Sequence, residues 1–315
     1  SLEEHFADCP QDSRELRKPA NVTAEKFKPL AGRWGTFVPG VFGHHPLLLR
    51  ETINLPWFLE LVPLVAGERL DVTRSRVSGF RRVLDMKSAT LTRELTWHTR
   101  AGAVLRLRHE RFVSGVRMHL SAQRLHLESD VPVAVTVRAG IDANVTTNGF
   151  DHFTAIALAP GPTAAGVRCE VRTDGGGTVR METRVTASGT ADWRYVEDAR
   201  HGWCEATFHV APDRPLTVEK RTVVATDRDP EPVAPAGILE PAMGRSWDEL
   251  HAEHAGHWAE AWRRSDVEVD GDAAAQLILR SSIYHLLRAH VPDDARVAID
   301  AKGYAGEAYK GHFFW

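Results

Sequence analysis

The sequence predicts a mainly β protein, an antiparallel arrangement of two large packed sheets followed by a helical segment. Three observations carry this. From about Arg33 to Val224, apolar residues alternate with polar or small ones at a period of two, which places one face of each strand in a core and the other toward water. That alternation belongs to antiparallel strands, because parallel strands are usually apolar on both faces. The texture then changes at Asp229, where Pro230, Pro232, Pro235 and Pro241 crowd one short stretch and helical spacing follows. A chain of 315 residues suits about two domains and can bury a core without disulfide or metal staples.

In chain order, Leu125 and Leu127 alternate with Arg124, His126 and Glu128. Val131 to Ile141 reads as a central strand with its odd-numbered residues buried. Val167, Cys169 and Val171 mark another strand, and Cys204, Ala206, Phe208 and Val210 another. Arg100–Gly102, Asp174–Gly177, Ser188–Gly189 and Pro212–Asp213 supply the turns. A dozen or more strands follow from this spacing. Asp229–Gly244 reads as a stiff linker. Ser246 to Glu249 forms a capping box. Trp247, Leu250, His254, Trp258 and Trp262 then recur at steps of three and four, so they form one stripe that packs on a neighbour. A second helix runs from Asp272, its cap, to about His290. Its core face holds Ala275, Leu279, Ile283, Leu286 and Leu287, widened by Leu277 and Ile278.

Composition excludes several classes. Hydrophobic residues at 43% and charged residues at 26% exclude a disordered tail or fibre. A net charge of −3 gives no ground for a nucleic-acid or membrane partner. No apolar run spans a bilayer and no basic-then-apolar leader opens the chain, so the cytoplasm is the expected compartment. Cys9, Cys169 and Cys204 are far apart and odd in number, against a disulfide framework or a cysteine zinc site. His251, His254 and His257 lie on one helix without an HExxH pattern, so a packing or solvent-facing role outweighs metal binding. Asp174–Gly177 lacks the features of a phosphate loop and reads as a hairpin turn. The arginine-rich strand faces around Arg106, Arg108, Arg117 and Arg124 read as solvated.

The chemically densest segment is the last, Gly303 to Trp315, where glycines and aromatics surround Glu307, Lys310 and His312. Aromatic faces beside hydrogen-bonding groups suit a sugar, and glycine-rich aromatic loops can equally be structural. This segment resembles the G-x-x-G-E-x-Y-x-G-H-x-F-W stretch of glycoside hydrolase family 65. Other stretches match that family in order: Asn54-Leu-Pro56, Leu84-Asp-Met-Lys87 with Leu91-Thr-Arg93, Glu110 to Ser114, Gly140 to Thr146 with Asn148-Gly149, Leu216 to Lys220, and Asp266 to Asp272 with Gln276 and Arg280.

The resemblance implies an N-terminal antiparallel β-supersandwich over residues 1–228, a proline-rich and helical linker over 229–265, and from 266 to 315 the beginning of an (α/α)6 catalytic barrel. It also implies an inverting enzyme that cleaves an α-linked glucose disaccharide, a phosphorylase or a hydrolase. No catalytic position maps onto this chain. Trp315 and Phe314 map onto the edge of the sugar site. No cofactor is implied, only inorganic phosphate as co-substrate if the enzyme is a phosphorylase. The remainder of the barrel, which could be a second chain, and a homodimer of the complete protein are the implied partners. A non-catalytic carbohydrate-binding or assembly module built on the supersandwich is the alternative.

Overall fold

The computed structural model describes residues 36–45, 49–147, 150–229, 233–291, 294 and 299. Fifteen strands precede three helices among them. The strands are β1 (Phe42–His45), β2 (Leu49–Thr52), β3 (Trp57–Val65), β4 (Glu68–Arg69), β5 (Arg76–Asp85), β6 (Thr90–His98), β7 (Val104–Val113) and β8 (Leu120–Ser129). They continue as β9 (Val133–Asp142), β10 (Phe153–Pro160), β11 (Gly166–Thr173), β12 (Thr178–Ala187), β13 (Arg194–Glu197), β14 (His201–Val210) and β15 (Leu216–Thr226). The helices are α1 (Pro235–Met243), α2 (Trp247–Ser265) and α3 (Ala273–Ala289).

Two antiparallel sheets form a sandwich. The larger has eight strands in the order β10-β11-β12-β15-β8-β7-β6-β5, and the smaller has five in the order β13-β14-β9-β3-β4. A separate hairpin pairs β1 with β2. Period-two alternation supplies the core between the sheets: Leu125, Leu127, Val167, Cys169, Val171, Cys204, Phe208 and Val210 all lie within it. Burial pushes the Cys169 and Cys204 thiols up to about 12, so both behave as small apolar side chains.

The strand expected at Val131–Ile141 is the middle strand of the smaller sheet, with Val135, Val137, Ala139 and Ile141 buried. Val131 departs from the expectation: it precedes β9 and is exposed, because the turn from β8 leaves it outside the ladder.

The proline-rich stretch also departs. Instead of a continuous stiff linker, residues 235–243 form α1. Pro235 opens the helix, where a missing N–H costs nothing, and Pro241 sits within it. Packing overrides the breaker. Leu239 and Ala242 are buried with Phe112, Leu120, Ala122 and Val223 on the outer face of the larger sheet. The Arg221 guanidinium donates to the Ala242 carbonyl at 2.5 Å, and Arg184 pairs with Glu240 at 2.6 Å.

Helix α2 carries the expected capping box on Ser246 and Glu249. Acids in its first turn and Arg263 and Arg264 in its last complement the helix dipole. Its buried stripe is Trp247, Leu250, His254 and Trp258. In α3, capped by Asp272, Ala275, Leu279, Ile283 and Leu287 are half-buried. Leu286, placed by spacing on the core face, is exposed, and Tyr284 is buried instead. The tyrosine turns inward because its ring meets Trp258, with centroids 5.1 Å apart.

Candidate functional site

At one end of the sandwich the β1–β2 hairpin lies against the β11–β12 turn. Gly43 and Gly175 permit this approach: a Cβ at Gly43 would overlap the His152 ring, and one at Gly175 the Phe42 carbonyl. Asp174-Gly-Gly-Gly177 is a hairpin turn in which Gly175 lets the Phe42 backbone approach and Gly176 takes a φ of 83°. The Asp174 carboxylate accepts the His44 backbone N–H at 2.9 Å.

Behind the turn His152 is buried between two carboxylates. Its Nδ1 lies 2.9 Å from Asp174 and its Nε2 lies 3.1 Å from Glu51, which is fully buried. Burial opposes the charged ring, but the bonds to Glu51 and Asp174 outweigh it and raise the His152 pKa. An imidazolium donates from both nitrogens, so it satisfies both carboxylates together. A cleft of about 330 Å³ opens in front of this cluster, lined in part by Leu49, Arg50, Asp174, Thr178, Asp227 and Arg228. Among the described residues, no group of three or more His, Cys, Asp or Glu gathers in metal-binding geometry.

A second polar cluster ties the sheets together. The register of β3 against β9 shifts between Trp57 and Glu60. There the carbonyls of Phe58, Glu60 and Gly140 accept from Lys220 Nζ at 2.6, 2.8 and 2.8 Å. Lys220 is fully buried, and burial pulls its pKa down to about 8. His201 bonds the buried Glu60 carboxylate at 2.7 Å. A Cβ at Gly140 would overlap that carboxylate. Nearby, Asn54 accepts the Thr36 N–H at 3.2 Å and donates its own to Thr147 at 2.8 Å.

Two of the three histidines of α2 pack against the sandwich, and His257 is exposed. His254 stacks on Phe112 with centroids 4.6 Å apart and accepts the Gly115 N–H at 3.1 Å. Burial lowers its pKa to about 4. His251 bonds Thr90 at 2.9 Å. Trp262 donates to the Met86 carbonyl at 2.7 Å. Asp266 holds Arg280 through two bonds of 2.8 and 2.6 Å, and Gln276 bonds the backbone of Val267 and Val269. Of the arginine face, Arg108 and Arg124 converge on Glu110. Burial opposes the Glu110 charge, but both guanidiniums outweigh it and hold the carboxyl below its usual range.

Trp315 and Phe314 lie outside the described residues. Sequence reasoning missed His152, Glu51, Asp227 and the role of Lys220. Only Lys220 had a signal: it keeps the period of Leu216 and Val218 on β15, so the alternation aims a lysine into the core.

The N-terminal domain model of glycosyl hydrolase family 65 matches residues 31–261, and the central catalytic domain model of that family matches residues 280–315. A kojibiose phosphorylase of Halothermothrix orenii is 28% identical over 302 residues, covering 89% of this chain and 38% of the relative. A 1,2-alpha-glucosylglycerol phosphorylase of Bacillus selenitireducens is 26% identical over 271 residues, covering 84% and 34%. A solved structure described as a putative kojibiose phosphorylase from human microbiome superposes with a TM-score of 0.78 at 21% identity, covering 89% of this chain and 39% of that one. The chain thus spans about two fifths of the length of these relatives. It belongs to glycosyl hydrolase family 65.

Proposed function

We propose that this chain is the N-terminal part of an inverting enzyme that cleaves an α-linked glucose disaccharide by phosphorolysis. Residues 1–228 form its sandwich, 229–265 a helical connection, and 266–315 the first part of the catalytic barrel. The observation that carries the reading is the ordered pair of family matches, N-terminal domain then catalytic domain, in a chain whose relatives include a kojibiose phosphorylase and a 1,2-alpha-glucosylglycerol phosphorylase. Those two names favour phosphate over water as the attacking group, and an α-1,2 linkage.

In such a reaction a phosphate oxygen attacks the anomeric carbon from the face opposite the glycosidic oxygen. The C–O bond breaks, and a carboxylic acid protonates the departing oxygen. The acid and the phosphate site belong to the barrel beyond residue 315. Trp315 and Phe314 form the edge of the glucose site. The sandwich supports the first barrel helices through the ties that α2 makes to the β5–β6 turn. The same reading makes the complete enzyme a cytoplasmic homodimer with no metal cofactor.

The test is an assay of the complete protein on kojibiose, maltose, trehalose and nigerose, with and without inorganic phosphate. Cleavage that requires phosphate and releases a glucosyl phosphate of inverted configuration is expected. Glucose release independent of phosphate makes the enzyme a hydrolase. No cleavage of any glucoside overturns the reading.

A further inference from the structure

The cleft between the β1–β2 hairpin, the β11–β12 turn and the end of β15 has a lining whose chemistry is specific. Its charged groups balance: Asp174 and Asp227 share the lining of about 330 Å³ with Arg50, whose guanidinium lies over the Phe42 ring at 3.9 Å, and Arg228. A phosphate or carboxylate would meet two carboxylates there, and a cation would meet two guanidiniums. A neutral ligand with many hydroxyls suits such a lining, since each hydroxyl both donates and accepts.

The carboxylates are already oriented. Asp174 accepts from the His44 backbone and from His152. Asp227 accepts the Thr178 N–H at 3.0 Å. An ionised carboxylate has about four acceptor positions, so each keeps capacity for a ligand hydroxyl while the protein fixes its direction.

A second observation is independent of charge. Leu49, on the cleft wall, has φ of 65° and is 73% exposed. A leucine in the left-handed region is strained, and such strain concentrates at ligand clamps. Here it presents an apolar side chain beside the polar groups, the pairing that the CH face and the hydroxyls of a sugar ring require. The cleft is also within the volume range of small-molecule sites.

We propose that this cleft binds a neutral sugar ring at the end of the sandwich, through Asp174, Asp227 and Thr178 on one side and Leu49 on the other. The lining carries this independently of where the glycosidic bond is cut.

The test is hydrogen exchange on the complete protein, read in the peptides covering residues 42–52, 172–179 and 226–229, with kojibiose, maltose or glucose added, and with inorganic phosphate alone. Slower exchange in all three peptides with a sugar, and not with phosphate, is expected. Leu49→Gly relieves the backbone strain, so it should keep the melting temperature and weaken the sugar's effect by about tenfold, as should Asp227→Asn, which keeps an acceptor for the Thr178 amide. No protection by any sugar, equal protection by phosphate alone, or full sugar affinity in both variants overturns the proposal. A protein that cleaves its glucoside without protection at these peptides loses this site and keeps the preceding reading.

Discussion

At the scale of single residues, the buried charges have opposite consequences. Lys220 uses all three ammonium hydrogens on backbone carbonyls of the facing sheet. Lys220→Met keeps much of the volume and strands those acceptors in the core. The expected loss is about 3 kcal/mol, the order of one to three stranded buried acceptors, measured by denaturant unfolding at neutral pH. An unchanged midpoint would show that the carbonyls find other partners.

His152 gives a pH dependence of definite sign. Its folded pKa is raised above the ordinary value of 6.5. The stabilisation it brings is therefore complete below the unfolded pKa and lost as pH rises through the folded one. Comparing His152→Gln with the parent between about pH 5.5 and about pH 8.5 should show a stability gap that shrinks toward alkaline pH. A gap that widens would reverse the assignment of the clamp as an imidazolium between two carboxylates.

At the scale of elements, α2 is the tie between sandwich and helices. Trp258 is 8% exposed and meets the Tyr284 ring of α3 at a tilt of 30°. Trp258→Ala should cost about 3 kcal/mol, in the range for deleting a buried aromatic ring, and speed hydrogen exchange along α3 before the sandwich strands. Uniform acceleration across both would mean that the helices and the sandwich unfold as one unit. His254 adds acid sensitivity to this tie, with a sign opposite to that of His152. Burial lowers its folded pKa from 6.5 to about 4, so stability is lost as pH falls through that window. A His254→Gln variant should lose less stability than the parent between those two values.

The same elements show what the sequence made legible. The inner faces of β8, β9, β11 and β14 follow directly from alternation, because a two-sided strand exposes its period. The capping box and the stripe of α2 follow from local chemistry as directly. Helix α1 was hidden because its prolines speak for a linker, while its packing on Val223 and Phe112 is tertiary. The β1–β2 hairpin and the His152 clamp were hidden because Glu51, His152 and Asp174 are brought together from positions about one hundred and about twenty residues apart. The family motifs gain a physical content here. Asn54 ties Thr36 to Thr147, Gly140 gives way to Glu60, and Lys220 spans the sheets.

For the molecule as a whole, α3 exposes what a folded chain usually covers. Leu277 and Ile278 are 61% and 68% exposed, and Leu286 is 56% exposed. They lie at the point where the match to the catalytic domain begins. Under the proposed function this face packs inside the barrel, and residues 1–315 alone hold neither the acid nor the phosphate site. Two outcomes follow for residues 1–315 expressed alone. They should cleave no glucoside with or without phosphate, and a Leu277→Glu, Ile278→Glu variant should be more soluble than the parent, because it breaks an exposed apolar patch. In the complete protein the same pair of substitutions should act in the other sense. Two carboxylates forced into a packed helical interface would lower the melting temperature and the yield of folded enzyme. Turnover by residues 1–315 would move the catalytic groups into the sandwich and the first helices. A complete protein indifferent to both glutamates would show that this face of α3 stays open to solvent, so that the first barrel helix packs through Tyr284 and Ala289 instead.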